Sequence, residues 1–272
     1  MTPTVTENTA KTAEVILLGT GTSVGVPALG CDCDVCTSDN PRNNRTRCSV
    51  AIRTESGTIL IDTAPDMRTQ LLRESIPLIH AVIYTHEHAD HLFGLDDLRL
   101  FPFRLGAPVP LFCETNVEAR IRKSYDYAFR DQAETHPGAT PQLEIKTIQP
   151  DTAFQVLGLR IQPIRMSHGP NFEVLGFRIG DFAYCTDTNH IPETSLELLQ
   201  GLDLLVIDAL RQKPHPTHFT VTEACEIAKR INVPRTYLTH ICHDLDHDAT
   251  NASLPDGVEM AYDGLRFSIQ LP

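Results

Sequence analysis

The stretch Thr85-His86-Glu87-His88-Ala89-Asp90-His91 follows directly on the apolar run Ala81-Val82-Ile83-Tyr84. A short buried strand that ends here delivers its side chains to the edge of a sheet, where layered α/β folds gather their ligands. Imidazole nitrogens beside a carboxylate suit zinc, manganese or iron rather than calcium or magnesium. Adjacent Asp90 and His91 cannot both join the compact tetrahedron that His86 and His88 begin. The pattern predicts two metal ions, the first held by His86 and His88 and the second by Asp90 and His91. Each needs ligands from later in the chain.

The rest of the sequence supplies a scaffold for such a site. Glu14 to Leu18 reads as a first strand, followed by Gly19-Thr20-Gly21-Thr22-Ser23, a turn whose glycines allow close backbone approach. No Lys-Ser/Thr pair and no helical pattern follow it, so it is not a phosphate-cradling loop. Cys48 to Thr54 and Thr58 to Asp62 flank Ser56-Gly57 as a hairpin. Residues 64 to 74 have helical spacing through Met67, Leu71 and Leu72. Ala81 to Thr85 is the strand that feeds the motif. Leu92 to Arg104 reads as a helix packed on the site, Pro108 to Cys113 as a strand, and Asn116 to Phe129 as a second helix. A polar loop from Asp131 to Gln142, containing Pro137-Gly138, is placed to cover the site.

From Leu143 the order repeats, with strands near 143–148, 153–156, 159–165, 174–179 and 182–187 and a helix over Glu193 to Gln200. A strand Asp203 to Asp208, a helix Val221 to Ile231 and a strand Arg235 to Leu238 complete it. Two β-rich halves packed on each other predict an α/β fold, a four-layer αβ/βα sandwich. No linker separates the halves, so residues 14–272 read as a single domain behind a disordered leader, 1–13.

A formal charge of −12 argues against a broad surface for long nucleic acid, which must neutralise phosphates with Lys and Arg. A small phosphate ester drawn by metal charge is compatible with it. The most basic local surface, Arg120, Arg122, Lys123 and Arg130, reads as a solvated helix face. No apolar run approaches the ~20 residues of a membrane helix, and Met1 to Glu14 has no apolar signal core. The expectation is a cytoplasmic protein with no membrane partner. Its eight cysteines are not spaced as a disulfide framework, and a reducing compartment keeps them free for metal. Cys48, Cys113, Cys185 and Cys225 stand alone and read as buried, inert thiols.

His86-x-His88-x-Asp90-His91 after an apolar strand resembles the signature of the metallo-β-lactamase fold superfamily of binuclear metallohydrolases. The later candidates also lie at strand ends: His168 in Ser167-His168-Gly169, Asp187 after Phe182 to Thr186, and His240 after Thr236 to Thr239. The resemblance implies His86, His88 and His168 on one ion, Asp90, His91 and His240 on the other, and Asp187 between them. Asp62, after Ile59-Leu60-Ile61, is placed to orient a ligand histidine, and Asp208 ends a similar run.

Cys31-x-Cys33-x2-Cys36 offers three thiolates, and a closed tetrahedral site can be finished by a distant histidine. His243, in His240-Ile-Cys-His243, is the candidate; Cys242 is its competitor, and a plain surface role for His243 is the remaining alternative. Three early cysteines with this histidine resemble the structural zinc of the phosphoribosyl cyclic phosphate phosphodiesterases of the carbon-phosphorus lyase pathway. That resemblance extends from the Gly19 turn to a last strand near Leu265 to Ile269. It implies two divalent ions, Zn or Mn, in the active site and one structural Zn, and it suggests a homodimer. It also places an acid histidine just before a helix, which favours His218 in Pro214-His215-Pro216-Thr217-His218, with His215 in reserve.

The expected function is a phosphodiesterase that hydrolyses a small cyclic or diester phosphate through a hydroxide bridging two metals, with a histidine general acid. No serine or cysteine triad competes for the chemistry. The rival readings are a tRNA 3′-end processing nuclease, a thioesterase of the same fold, and a zinc-dependent sensor without turnover.

Overall fold

The computed structural model describes residues 12–130, 136 and 138–271. Most of the expected leader, 1–11, and residues 131–135 and 137 of the expected loop lie outside the described residues. The first half contains β1 (Thr12–Gly19), β2 (Ser49–Thr54), β3 (Gly57–Ile61), α1 (Met67–Arg73), β4 (Ala81–Ile83) and α2 (Ala89–Leu92), then α3 (Phe101–Leu105), β5 (Val109–Cys113), α4 (Thr115–Ser124) and β6 (Leu143–Thr147). The second contains β7 (Phe154–Val156), β8 (Leu159–His168), β9 (Phe172–Ile179), β10 (Phe182–Cys185), α5 (Glu193–Leu198) and β11 (Leu204–Asp208), then α6 (Val221–Arg230), β12 (Arg235–Thr239), α7 (His247–Asn251) and β13 (Val258–Met260). The last strand, β14 (Arg266–Gln270), returns to the first half.

Two seven-stranded sheets result, in the orders β14-β1-β2-β3-β4-β5-β6 and β13-β12-β11-β10-β9-β8-β7. Strand alternation sorts each central strand between two cores. In β1, Val15 and Leu17 join the cluster between the sheets, whereas Ile16 and Leu18 face the helix side with Met67, Leu71, Val117 and Ile121. In β10, Phe182 and Tyr184 face the other sheet and Ala183 and Cys185 face Leu196, Val221 and Ala224 of α5 and α6. Helix, sheet, sheet, helix is the four-layer αβ/βα sandwich expected.

Several expectations need correction. Thr12 and Ala13 are not leader: they pair with Gln270 and Ile269 of β14, which extends the first strand by two residues. Leu92 to Arg104 is not one helix. It is the end of α2, a 3-10 segment at Leu95–Leu100 and then α3. Gly94 presses on the Ala64 carbonyl, where an added Cβ would stand 2.1 Å from the oxygen, and Pro102 opens a new helix because it has no N–H to continue the old one. The second expected helix stops at Ser124 rather than Phe129, and α7 and β13 were not anticipated. Thr220 caps α6 in a full capping box with Glu223.

Candidate metal centre

The site residues sit where strands of both sheets end. Asp62 follows β3, the histidine motif follows β4, His168 ends β8, Asp187 lies just beyond β10, and His240 follows β12. Asp62, Asp187 and His240 have φ of 63°, 56° and 59°. This left-handed backbone is costly for a residue with a Cβ and recurs at functional sites. In each case the chain turns sharply as it leaves the sheet and points a side chain into one cleft.

The donor atoms of His86, His88 and His168 lie within 4.8 Å of one another, and so do those of Asp90, His91, Asp187 and His240. His91 Nε2 stands 3.1 Å from Asp187 Oδ2 and 3.3 Å from Asp90 Oδ2, while His240 Nε2 is 3.2 Å from Asp187 Oδ1. Asp187 therefore offers one oxygen to each of two histidines.

One buried carboxylate aims ligands in both groups. Asp62 Oδ1 accepts from the Thr85 N–H and Oδ2 from the Thr85 hydroxyl and from His91 Nδ1, all at 2.8 Å. Because the Thr85 hydroxyl proton is given to Asp62, its oxygen accepts from His86 Nδ1 at 2.9 Å. Both histidines are thus fixed as Nδ1–H, leaving Nε2 with a lone pair. His168 follows the same rule, its Nδ1 donating to the Thr217 carbonyl at 2.9 Å.

The electrostatics ask for positive charge. Burial, reinforced by neighbouring His91, holds His86 well below its usual pKa, so it is neutral. Burial would lower His91 too, but Asp187, Asp90 and Asp62 outweigh it and hold it well above. His240 is raised to about 9 against its burial, chiefly by Asp187. Asp187, despite burial, is held well below its usual value by His240 and His91. Yet the Nε2 atoms of His86, His91 and His240 are buried without a hydrogen-bond partner. Among shared carboxylates these nitrogens need a positive charge, which protons supply on His91 and His240 or a cation supplies in their place, so the residues present fit divalent metal.

A second cluster gathers Cys31, Cys33, Cys36 and His243. The three sulfurs are 3.1, 3.5 and 3.4 Å from His243 Nδ1. The backbone N–H of Cys36 is the main cause that lowers the Cys33 thiol to about 6, while burial and its sulfur neighbours push Cys36 up to about 11. The Cys33 thiolate is favoured there and the Cys36 thiolate is disfavoured unless a cation neutralises it. Cys242 stands outside the cluster, its sulfur accepting from the Asp244 N–H.

His218 is brought beside the main centre. Its Nδ1 donates to Asp208 Oδ2 at 2.7 Å, its ring stacks on His240 at 4.5 Å, and its donor lies within 4.8 Å of those of His168 and Asp187. His215 is one step further out, 5.2 Å from the His218 ring, with Nδ1 against the Thr217 hydroxyl. A cavity of about 510 Å³ lined by Glu87, Glu114, Asn116, Arg165, Phe172 and Glu173 adjoins the centre, the Phe172 ring meeting His88 edge-on at 5.0 Å.

The Gly19-Thr20-Gly21 turn approaches the backbone of Arg45 to Arg47, where a Cβ on Gly19 would stand 1.9 Å from the Arg47 carbonyl oxygen. Asp263 holds this turn, accepting from Thr20 and Thr46. Buried Arg45 donates to the Thr20 hydroxyl and the Ala261 carbonyl. Sequence reasoning missed Arg45 and Asp263, since nothing local marks a charge that will be buried against partners more than 200 residues away.

Two sandwiched mixed sheets with a histidine and aspartate centre at their strand ends are the architecture of the metallo-β-lactamase class of hydrolases. A model of the beta-lactamase superfamily domain matches residues 57–241. The crystal structure of a diphosphatase from the PhnP family superposes with a TM-score of 0.89 at 42% identity, covering 96% of this chain and 98% of that one. An octanoyltransferase of Porphyromonas gingivalis is 41% identical over 253 residues, 92% of this chain, which spans 50% of that relative's length. A ribonuclease Z of Listeria welshimeri is 25% identical across 94% of this chain and 99% of its own. The chain belongs to the metallo-β-lactamase superfamily, and within it to the PhnP family.

Proposed function

We propose that this hydrolase is a metal-dependent phosphodiesterase for small cyclic or diester phosphates. In this reading His86, His88 and His168 hold one divalent ion, Asp90, His91 and His240 the other, with Asp187 shared. Cys31, Cys33, Cys36 and His243 hold a structural zinc. The observation that carries the reading is the juxtaposition of the two donor groups with His218, whose Nδ1 is already committed to Asp208. The likeness to a PhnP-family diphosphatase supports it.

When bound, paired ions supply Lewis acidity and a water of lowered pKa. The chain does the rest. Asp62 and the Thr217 carbonyl keep ligand nitrogens aimed at the cleft. Asp208 fixes the His218 ring with Nε2 turned toward the phosphate, where the imidazolium form would carry the proton to be given up. As water oxygen bonds to phosphorus, the ester P–O bond breaks and its oxygen leaves with the His218 proton.

The test is hydrolysis of bis(p-nitrophenyl) phosphate and a five-membered cyclic ribose phosphate by protein of known zinc and manganese content. Activity on both, abolished in Asp187→Ala and cut ~10²-fold or more on the ribose ester in His218→Ala, is expected. A fully metallated but inactive protein refutes the reading. A second reading, RNA 3′-end cleavage, draws on the ribonuclease Z likeness; the charge of −12 opposes it, and RNA binding that weakens steeply with salt would favour it.

A further inference from the structure

The acid assigned to His218 has value only if its loop is held in register with the metal ligands. Pro214 to Thr217 is not part of either sheet. Its register comes from the segment just beyond Asp187. Asn189 Oδ1 accepts from the Gly169 N–H at 2.7 Å, and Asn189 Nδ2 donates to the Pro216 carbonyl at 3.2 Å. One carboxamide thus spans two loops: the one that follows the ligand His168 and the one that leads into His218. Its own N–H is anchored to the Ser167 carbonyl at 3.1 Å, so it is fixed to the end of β8.

Gly169 makes that closeness available. Its φ is +73°, and a Cβ there would stand 2.6 Å from Thr217 Cγ2 and 3.3 Å from the Pro216 oxygen. The loops touch at a place where only glycine fits.

We infer that Asn189 is a positioning residue for the proton transfer, setting where His218 Nε2 stands relative to the ester oxygen that leaves. The inference rests on the acid role proposed for His218. Removing the carboxamide frees the Pro216 carbonyl and lets the loop drift, while His168 keeps its bond to the Thr217 carbonyl and the ligand set is untouched. A drift near 1 Å is enough to lose ~10²-fold from a proton-transfer step.

The test compares phosphodiesters with p-nitrophenolate and alkoxide leaving groups, using metal-loaded wild type, His218→Ala, Asn189→Ala and Asn189→Asp. An alkoxide needs the proton as it departs and p-nitrophenolate hardly does. Asn189→Ala is expected to lower kcat ~10-fold to 10²-fold on the alkyl ester with KM and metal content kept, and to change the nitrophenyl ester less than ~3-fold. Asn189→Asp keeps the acceptor for Gly169 but cannot donate to Pro216, and should behave like Asn189→Ala. Equal losses on both esters, or an Asp variant matching wild type on the alkyl ester, overturn the inference. If His218→Ala itself shows no leaving-group dependence, the acid role falls and this inference with it. If only the Asn189 variants show none, the acid role stands and the inference alone fails.

Discussion

Asp62→Asn is the sharpest probe of the centre, because it changes one atom and almost nothing else. The φ of +63° at Asp62 suits Asn as well as Asp, so the backbone has no reason to move. In the wild-type site both carboxylate oxygens accept, Oδ1 from the Thr85 N–H and Oδ2 from the Thr85 hydroxyl and His91 Nδ1. An amide turns one of these acceptors into a donor. If its NH2 takes the Oδ2 place, His91 must surrender its Nδ1 proton and carry it on Nε2, where it cannot bind metal. The Thr85 hydroxyl must then also turn, and the tautomer of His86 loses its anchor. If the NH2 takes the Oδ1 place, it meets the Thr85 backbone N–H, a buried donor left unsatisfied at ~1–3 kcal/mol.

Partners of this kind typically govern metal affinity by 10-fold to 100-fold, about 1.4–2.7 kcal/mol. Asp62→Asn should therefore fold, lose affinity by that factor for the ion bound through His91, and keep the thiolate-bound zinc. Competition against a graded series of chelators, read as metal per chain, measures it. A variant that retains all its metal at wild-type chelator concentrations would show that Asp62 does not set the tautomers, and the argument from its hydrogen bonds would be wrong.

Asp208→Asn should act on the other side of the chemistry, slowing the alkyl ester while metal content stays at the wild-type level; metal loss would instead mark His218 as a ligand. Cys33→Ser should remove one equivalent of zinc and lower the melting temperature by several degrees, with unchanged zinc refuting the closed site. Gly19→Ala forces a Cβ to 1.9 Å from the Arg47 oxygen and should destabilise by the upper part of ~1–3 kcal/mol in urea unfolding; an unchanged midpoint means the turn moves freely. Burial first, then Arg45 and Arg42, lowers His247 from 6.5 to about 4. In that window the unfolded chain binds the extra proton, so the stability it contributes is present above pH 6.5 and drains as pH falls, by on the order of 3 kcal/mol. Urea midpoints of wild type should fall more steeply than those of His247→Asn over that range, and parallel slopes refute the assignment.

The fold class and donor types were legible because both are short-range properties. Apolar runs bounded by glycines and polar turns locate strands, and His-x-His-x-Asp-His is a local pattern of ligand chemistry. What was not legible is direction. Asp62 is legible as a group that orients a ligand histidine, but nothing in Ile61-Asp62-Thr63 says that its backbone is left-handed, that the histidine is His91, or that Thr85 shares the carboxylate; Asn189 carries no such signal at all. These contacts exist only after two sheets have packed and brought strand ends together. The broken helix at Leu92 to Arg104 fails for the same reason, since its apolar spacing is helical while Gly94 answers to the distant carbonyl of Ala64.

The two halves solve the aiming problem with one device. In each, a buried aspartate at the end of a central strand grips a histidine through Nδ1: Asp62 with His91 at 2.8 Å, and Asp208 with His218 at 2.7 Å. The grip is nearly identical, so it cannot be what separates ligand from acid. The difference lies at the opposite nitrogen. His91 Nε2 is fully buried between Asp90 and Asp187, where a proton and a divalent ion would compete for one small space and the doubly charged ion would be favoured. His218 keeps its Nδ1 with Asp208 and lies beside His168 and Asp187 with a little solvent exposure, 8%, the place proposed above for the proton donor. On the proposed reading, a single structural motif would serve as a metal ligand on one side of the cleft and a proton donor on the other, and the identity of each is set by the charges its Nε2 meets.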